Sequence, residues 1–140
     1  MDRSRLLSAY IEKFVVHRKM WESEWMKSNK SGFSSSQAFM LILLYQKGPM
    51  QAKELMETMA VSSGGITVIS NKLCRLGLIR KVKSEQDRRA VFLEITDEGR
   101  KVYPAAQEQW KGVMERIFAV LSDVEVAILA QLFSKLVNQN

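Results

Sequence analysis

A mainly α-helical fold carrying one small β-hairpin is predicted by three features of the chain. Residues 87–99, Asp-Arg-Arg-Ala-Val-Phe-Leu-Glu-Ile-Thr-Asp-Glu-Gly, read in immediate succession as a basic loop, a return strand and a helix start. Just upstream, two short amphipathic segments joined by a tight turn have helix-turn-helix spacing. Helical periodicity fills both ends of the chain. A length of 140 residues fits one domain, or one domain extended by an oligomerisation element.

Composition narrows the class. A 46% hydrophobic share is enough to build a core, and 26% charged residues is ordinary for a soluble protein. The net charge of +6 favours a polyanionic partner. Nearly all of it is concentrated between Ser62 and Arg89, where Lys72, Arg75, Arg80, Lys81, Lys83, Arg88 and Arg89 face only Glu85 and Asp87. Cys74 is the only cysteine, so no internal disulfide can form and a reducing compartment is expected. The opening Met-Asp-Arg-Ser-Arg leads into no signal-peptide core, and the longest apolar run, Ala38 to Tyr45, is too short for a bilayer. A cytoplasmic protein with no membrane partner is expected.

Enzyme chemistry has little to stand on. Ser63-Gly64-Gly65 lacks the lysine of a phosphate-binding loop and opens no strand-to-helix unit. One histidine and one cysteine, far apart, make no nucleophile–base pair. His17 has no cluster of Cys, Asp or Glu ligands around it. No catalytic residue, metal or cofactor is expected.

Taken in order, the first element is a long helix from about Arg3 to Asn29. Leu7, Tyr10, Ile11, Phe14, His17, Trp21 and Trp25 form its stripe at spacings of three and four. Ser34 and Gln37 make a capping box for a helix containing Phe39-Met-Leu-Ile-Leu-Leu-Tyr45. Apolar on nearly all sides, it belongs in the centre and ends at Lys47-Gly48-Pro49. A short helix over Gln51–Met59 points Leu55 and Met59 inward. After the turn Ala60-Val61-Ser62, a second runs from about Ser63 to Leu76 with Ile66, Ile69, Leu73 and Leu76 inward, and Gly77 terminates it. Leu78–Val82 is the outgoing strand of the hairpin, Lys83–Arg89 its tip and Ala90–Ile95 its return. Thr96 caps the next helix, with Asp97 and Glu98 in its first turn where the dipole favours acids. Val102, Ala106, Trp110, Val113, Ile117 and Leu121 line that helix. Ser122 and Glu125 open a terminal one carrying Ile128, Leu132 and Leu136. The two ends carry more apolar surface than a small wing domain can cover, which points to a dimer.

The segment Leu55 to Leu78, followed by Asp87-Arg-Arg-Ala and Leu93-Glu-Ile-Thr-Asp-Glu-Gly99, resembles the MarR (multiple antibiotic resistance regulator) family. The order of elements agrees along essentially the whole chain. The resemblance implies a homodimeric winged helix-turn-helix regulator that binds pseudo-palindromic double-stranded DNA, with interlocking first and last helices, often tuned by a small molecule. The expected domains are residues 1–33, an N-terminal dimerisation helix and connection; 34–99, the winged helix-turn-helix; and 100–140, the C-terminal dimerisation helices.

Helix-turn-helix proteins turn the N-terminal end of the second helix toward base edges in the major groove. Here that end offers Ser62, Ser63, Gly64, Gly65, Thr67 and Val68, followed by Asn71 and Lys72. The hydroxyls suit bases or phosphates, and the two glycines either permit close approach to the duplex or merely loosen the turn. The family more often has aspartate at the Asn71 position and a large basic residue where Val68 stands. Arg89 matches the family arginine that enters the minor groove, with Asp87 expected to hold its guanidinium by a charge-assisted bond. Lys81, Lys83 and Arg88 are expected to meet phosphates.

Family members place ligands between the first helix, the central helix and the wing domain. His17, Met20, Trp21, Trp25, Phe39 and Met40 are the candidates for such a pocket, suited to a small aromatic or acidic effector; core or interface packing is the competing role. Some relatives sense oxidants through a cysteine in the first helix, which this chain lacks. Three readings stand at this point: an effector-released repressor, a redox-responsive regulator acting through Cys74, and a winged-helix protein-interaction module without DNA binding.

Overall fold

The computed structural model describes residues 2–139. In chain order the elements are α1 (Arg3–Ser28), α2 (Ser35–Lys47), β1 (Met50–Gln51), α3 (Ala52–Met59), α4 (Ser63–Arg75), β2 (Ile79–Lys83), β3 (Val91–Ile95), α5 (Asp97–Phe118) and α6 (Asp123–Val137). The chain therefore adopts the mainly α fold with a small β-wing that its periodicity predicts.

Contacts divide the chain into two compact units, residues 25–110 and residues 2–24 with 111–139. Both boundaries fall inside long helices, within α1 and α5, and not at their ends. The reason is visible around Trp25, which is buried and donates its indole N–H to the Phe33 carbonyl at 2.9 Å. It meets Trp110 edge-on with ring centroids 5.8 Å apart, and Trp110 stacks on Phe39 at 5.1 Å. The end of α1 and the body of α5 are thus built into the larger unit.

In that unit α2 is central, as its all-round apolar sequence requires. Ala38, Met40, Leu41, Ile42, Leu43 and Leu44 are all buried. Its start is the expected reciprocal box: Ser34 Oγ accepts the Gln37 N–H at 3.1 Å while Gln37 Oε1 accepts the Ser34 N–H at 3.0 Å. Leu55 from α3, Ile66 and Leu73 from α4, and Ile79, Leu93 and Ile95 from the wing complete the core. The sheet has order β1-β3-β2, antiparallel throughout, with Ile79 opposite Ile95 and Lys83 opposite Val91. Strand β1 pairs Met50 with Leu93. Two residues are too few to show a period, so sequence patterning does not reveal it.

Helix α4 corrects one inward set. Ile66, Ser70 and Leu73 are its buried residues, whereas Leu76 is 49% exposed. Positions 66, 70 and 73 share one face, and Leu76 falls at the C-cap, where the helical face has ended. Burial of Ser70 is tolerated because its hydroxyl donates to the Thr67 carbonyl at 3.2 Å. Beyond it Gly77, at φ 74, closes a Schellman turn: its N–H meets the Cys74 carbonyl and the Leu78 N–H meets the Leu73 carbonyl, both at 3.0 Å.

In the smaller unit Val113 and Ile117 are buried, and Arg116 pairs with Glu24 at 3.1 Å. His17, Trp21 and Phe118 form an aromatic triad with centroids 5.5–6.4 Å apart. Much apolar surface remains uncovered, including Leu7 at 52%, Ile11 at 54%, Ile128 at 50%, Leu132 at 54% and Leu136 at 52%. Among the described residues, α6 buries none, and no single helix is long and apolar enough to cross a membrane.

Candidate nucleic-acid interface

Both expected DNA-contacting elements lie in the larger unit, and α4 packs against α3 and β2. The start of α4 is built by Ser62, whose Oγ accepts the Gly65 N–H at 3.1 Å. That bond occupies one of the hydroxyls expected to meet DNA. The Thr67 hydroxyl likewise donates to the Ser63 carbonyl at 3.1 Å. Ser63, Gly64, Thr67, Val68 and Lys72 are exposed, and Asn71 is half-buried.

The two glycines have different roles. A Cβ on Gly65 would collide with the Val61 side chain and crowd Ser62 Oγ at 3.3 Å. Gly65 is therefore needed by the cap itself. A Cβ on Gly64 would meet nothing within 4 Å. Nothing inside the fold requires glycine at this second position.

The wing is shaped by local hydrogen bonds. Ser84 Oγ accepts the N–H groups of Gln86 and Asp87, each at 3.2 Å, and the Ser84 N–H closes on the Ala90 carbonyl at 3.0 Å. Asp87 holds the tip differently from the expectation. Its Oδ1 accepts the backbone N–H of Arg89 at 3.0 Å, in place of the guanidinium, because the carboxylate reaches a donor two residues on in an Asx-type turn. Arg80 pairs across the strands with Glu94, which removes it from the free charges. Lys81, Lys83, Arg88 and Arg89 are exposed and carry no ion pair among the described residues. Ser84 is the residue sequence reasoning passed over; a serine two and three residues before acceptable turn positions was its only signal.

Thr96 braces the base of the wing. Its N–H reaches the Leu78 carbonyl at 3.0 Å, its hydroxyl donates to the Gly77 carbonyl at 2.6 Å, and the same oxygen accepts the Gly99 N–H at 3.1 Å. Gly99 lies so close to the Leu78 carbonyl that a Cβ there would overlap it. One threonine and one glycine thus join the end of α4, the start of β2 and the first turn of α5.

The effector candidates divide between the units. Trp25, Phe39 and Met40 belong to the larger one, with Trp25 and Met40 at 2% and 0% exposure and Phe39 half-buried against Trp110. His17, Met20 and Trp21 belong to the smaller one. There His17 Nε2 accepts the Trp21 indole N–H at 3.4 Å, and Met20 is 41% exposed. Cys74 is half-buried near the end of α4. Among the described residues no group of His, Cys, Asp and Glu could hold a metal ion.

Residues 33–91 match the model of the MarR family. The uncharacterized HTH-type transcriptional regulator YpoP of Bacillus subtilis is 31% identical over 103 residues, covering 74% of this chain and 73% of that protein. The HTH-type transcriptional repressor MdtR of the same organism is 29% identical, covering 76% of this chain and 69% of that protein. A solved structure of Bordetella bronchiseptica BpsR, described as a mechanism for regulation of its DNA binding by 6-hydroxynicotinic acid, superposes with a TM-score of 0.84 at 15% identity. It covers 92% of this chain and 93% of that one. The chain belongs to the MarR family: it is a winged helix-turn-helix, DNA-binding transcriptional regulator, and not an enzyme. The interaction-module alternative gives way to this placement.

Proposed function

We propose that the protein is a cytoplasmic, homodimeric repressor that binds a pseudo-palindromic operator and is released by a small acidic or aromatic effector. The observation that carries the DNA half is the pairing, within one compact unit, of an exposed uncharged start to α4 with a wing whose Lys81, Lys83, Arg88 and Arg89 are unpaired. The α4 start suits base edges, Arg89 a narrow minor groove and the lysines phosphates. The uncovered apolar faces of α1 and α6 support the dimer. Two copies would present their α4 helices about 34 Å apart, on successive major grooves. The repressor sign follows the named relative MdtR. The effector follows the BpsR precedent, with Met20, the one exposed residue of the six candidates, most open to a ligand.

Fluorescence-anisotropy titration against the upstream intergenic DNA and a scrambled duplex, each at two salt concentrations, tests this reading. Tight, selective binding with a steep salt slope is expected. Arg89→Ala should weaken it by about 1–3 kcal/mol without unfolding the protein. Equal weak binding to both duplexes by a folded dimer would reject this operator, and unchanged affinity in Arg89→Ala would remove the wing assignment.

A further inference from the structure

We propose that α4 reads A·T base pairs, with the Val68 isopropyl group against a thymine C5-methyl and the Asn71 amide bonded to an adenine. The proposal rests on the DNA-binding reading above and names what that reading recognises.

Gly64, Val68, Asn71, Lys72 and Arg75 recur along α4 at the spacings that put residues on one helical face. Val68 is 70% exposed there, the most exposed large apolar side chain of the larger unit after Met26. A β-branched residue at an exposed helical position adds nothing to the core and lowers helix propensity. Side chains on a helix lie over the turn that precedes them, so Val68 leans over Gly64. Because a Cβ on Gly64 would meet nothing within 4 Å, the space in front of the isopropyl group is open to an incoming surface.

The chemistry available at this end of α4 is narrow. From Ser62 to Asn71 there is no cation, and the first, Lys72, follows only in the third turn, so the first two turns of α4 offer no bidentate arginine or lysine contact to guanine. The Ser62 and Thr67 hydroxyls already have partners within the helix. The exposed Ser63 hydroxyl has no hydrogen bond among the described residues, but a hydroxyl suits any base and selects none. Two groups that discriminate remain. An asparagine amide matches adenine N6 and N7, and an apolar group matches the methyl that marks thymine in the major groove. Asn71 lies one turn after Val68 and its amide has no hydrogen bond among the described residues. Adjacent contacts of these two kinds select an A·T pair or an A·T step over G·C.

The test starts from duplexes selected by the full-length protein out of a random-sequence pool. Each thymine of the selected site is then replaced by deoxyuridine, which removes only the C5-methyl, and affinities are measured for the wild type and for Val68→Ala. One thymine per half-site should be sensitive in the wild type, by about fourfold, the value of one buried methyl group. That sensitivity should vanish in Val68→Ala, whose exposed position leaves the fold intact. Replacing the neighbouring adenine by 7-deazaadenine should weaken the wild type and leave Asn71→Ala unaffected. Identical thymine profiles for wild type and Val68→Ala, in a protein that does select a site, would overturn the proposal while leaving DNA binding standing. No enrichment of any duplex would instead defeat the DNA-binding reading and this proposal with it.

Discussion

Single glycines decide more here than single charges. Gly99 sits where the first turn of α5 crosses the Leu78 carbonyl, and any Cβ would overlap that carbonyl and the Ile95 side chain. Backbone cannot move aside cheaply, so Gly99→Ala should destabilise the protein by about 1–3 kcal/mol, read as a lower urea midpoint. Gly64→Ala should do the opposite. With open space around it and a better helix former in place, it should gain about 0.5–1 kcal/mol while losing DNA affinity if the duplex approaches that backbone closely. A gain in stability with unchanged DNA affinity would return Gly64 to a mere loosener of the turn. The presence of these glycines, and of Thr96 as a cap, is legible in the sequence. Their tasks are not, because the hydroxyl of Thr96 also meets the Gly77 carbonyl, and such contacts exist only once the chain has folded. Asp87 was legible as a wing organiser, but the choice between a backbone N–H and a guanidinium depends on turn geometry that spacing alone does not specify.

At the scale of elements the caps carry the predictive weight. Ser34 with Gln37 and Ser122 with Glu125 were readable as boxes, and both close as such. In the second, the Ser122 backbone N–H, and then its side chain, hold the Glu125 carboxyl below its ordinary value. A lowered folded-state value means that the ionised carboxylate stabilises α6 at neutral pH. This contribution is fully present above the ordinary carboxylate range and is lost as pH falls through the lowered value. Acidification should therefore fray the start of α6, seen as lower amide protection factors there once the intrinsic slowing of exchange in acid is divided out. Glu125→Gln, which still accepts a bond but does not titrate, should remove that acid dependence. Unchanged protection factors across the acid range would show that the cap adds nothing through its charge. The same patterning missed β1, which is too short to alternate, and exchanged Leu76 for Ser70 on α4, where a serine satisfied by its own helix can be buried.

For the whole molecule, charge and apolarity are segregated between the two units. The larger unit holds the wing cations, and the smaller leaves Leu7, Ile11, Ile128, Leu132 and Leu136 in contact with water. Scattered apolar residues are ordinary on a surface, but a helix such as α6 with no buried residue lacks a reason to fold alone. A second copy of the same faces would supply it, since a two-fold interface pairs a patch with itself. Leu132→Glu together with Leu136→Glu places like charges across such an interface, so sedimentation equilibrium should show a monomer. The wing and α4 are in the other unit and should stay intact, so residual DNA binding remains measurable. A dimer meets phosphates through two wings and a monomer through one, and the slope of log affinity against log salt counts those contacts. The double variant should bind the operator far more weakly, with about half the wild-type salt slope. A dimeric double variant would move the interface elsewhere. A monomer with the full slope would mean that one copy already makes every phosphate contact, and that the apolar faces serve something other than presenting two wings to one duplex.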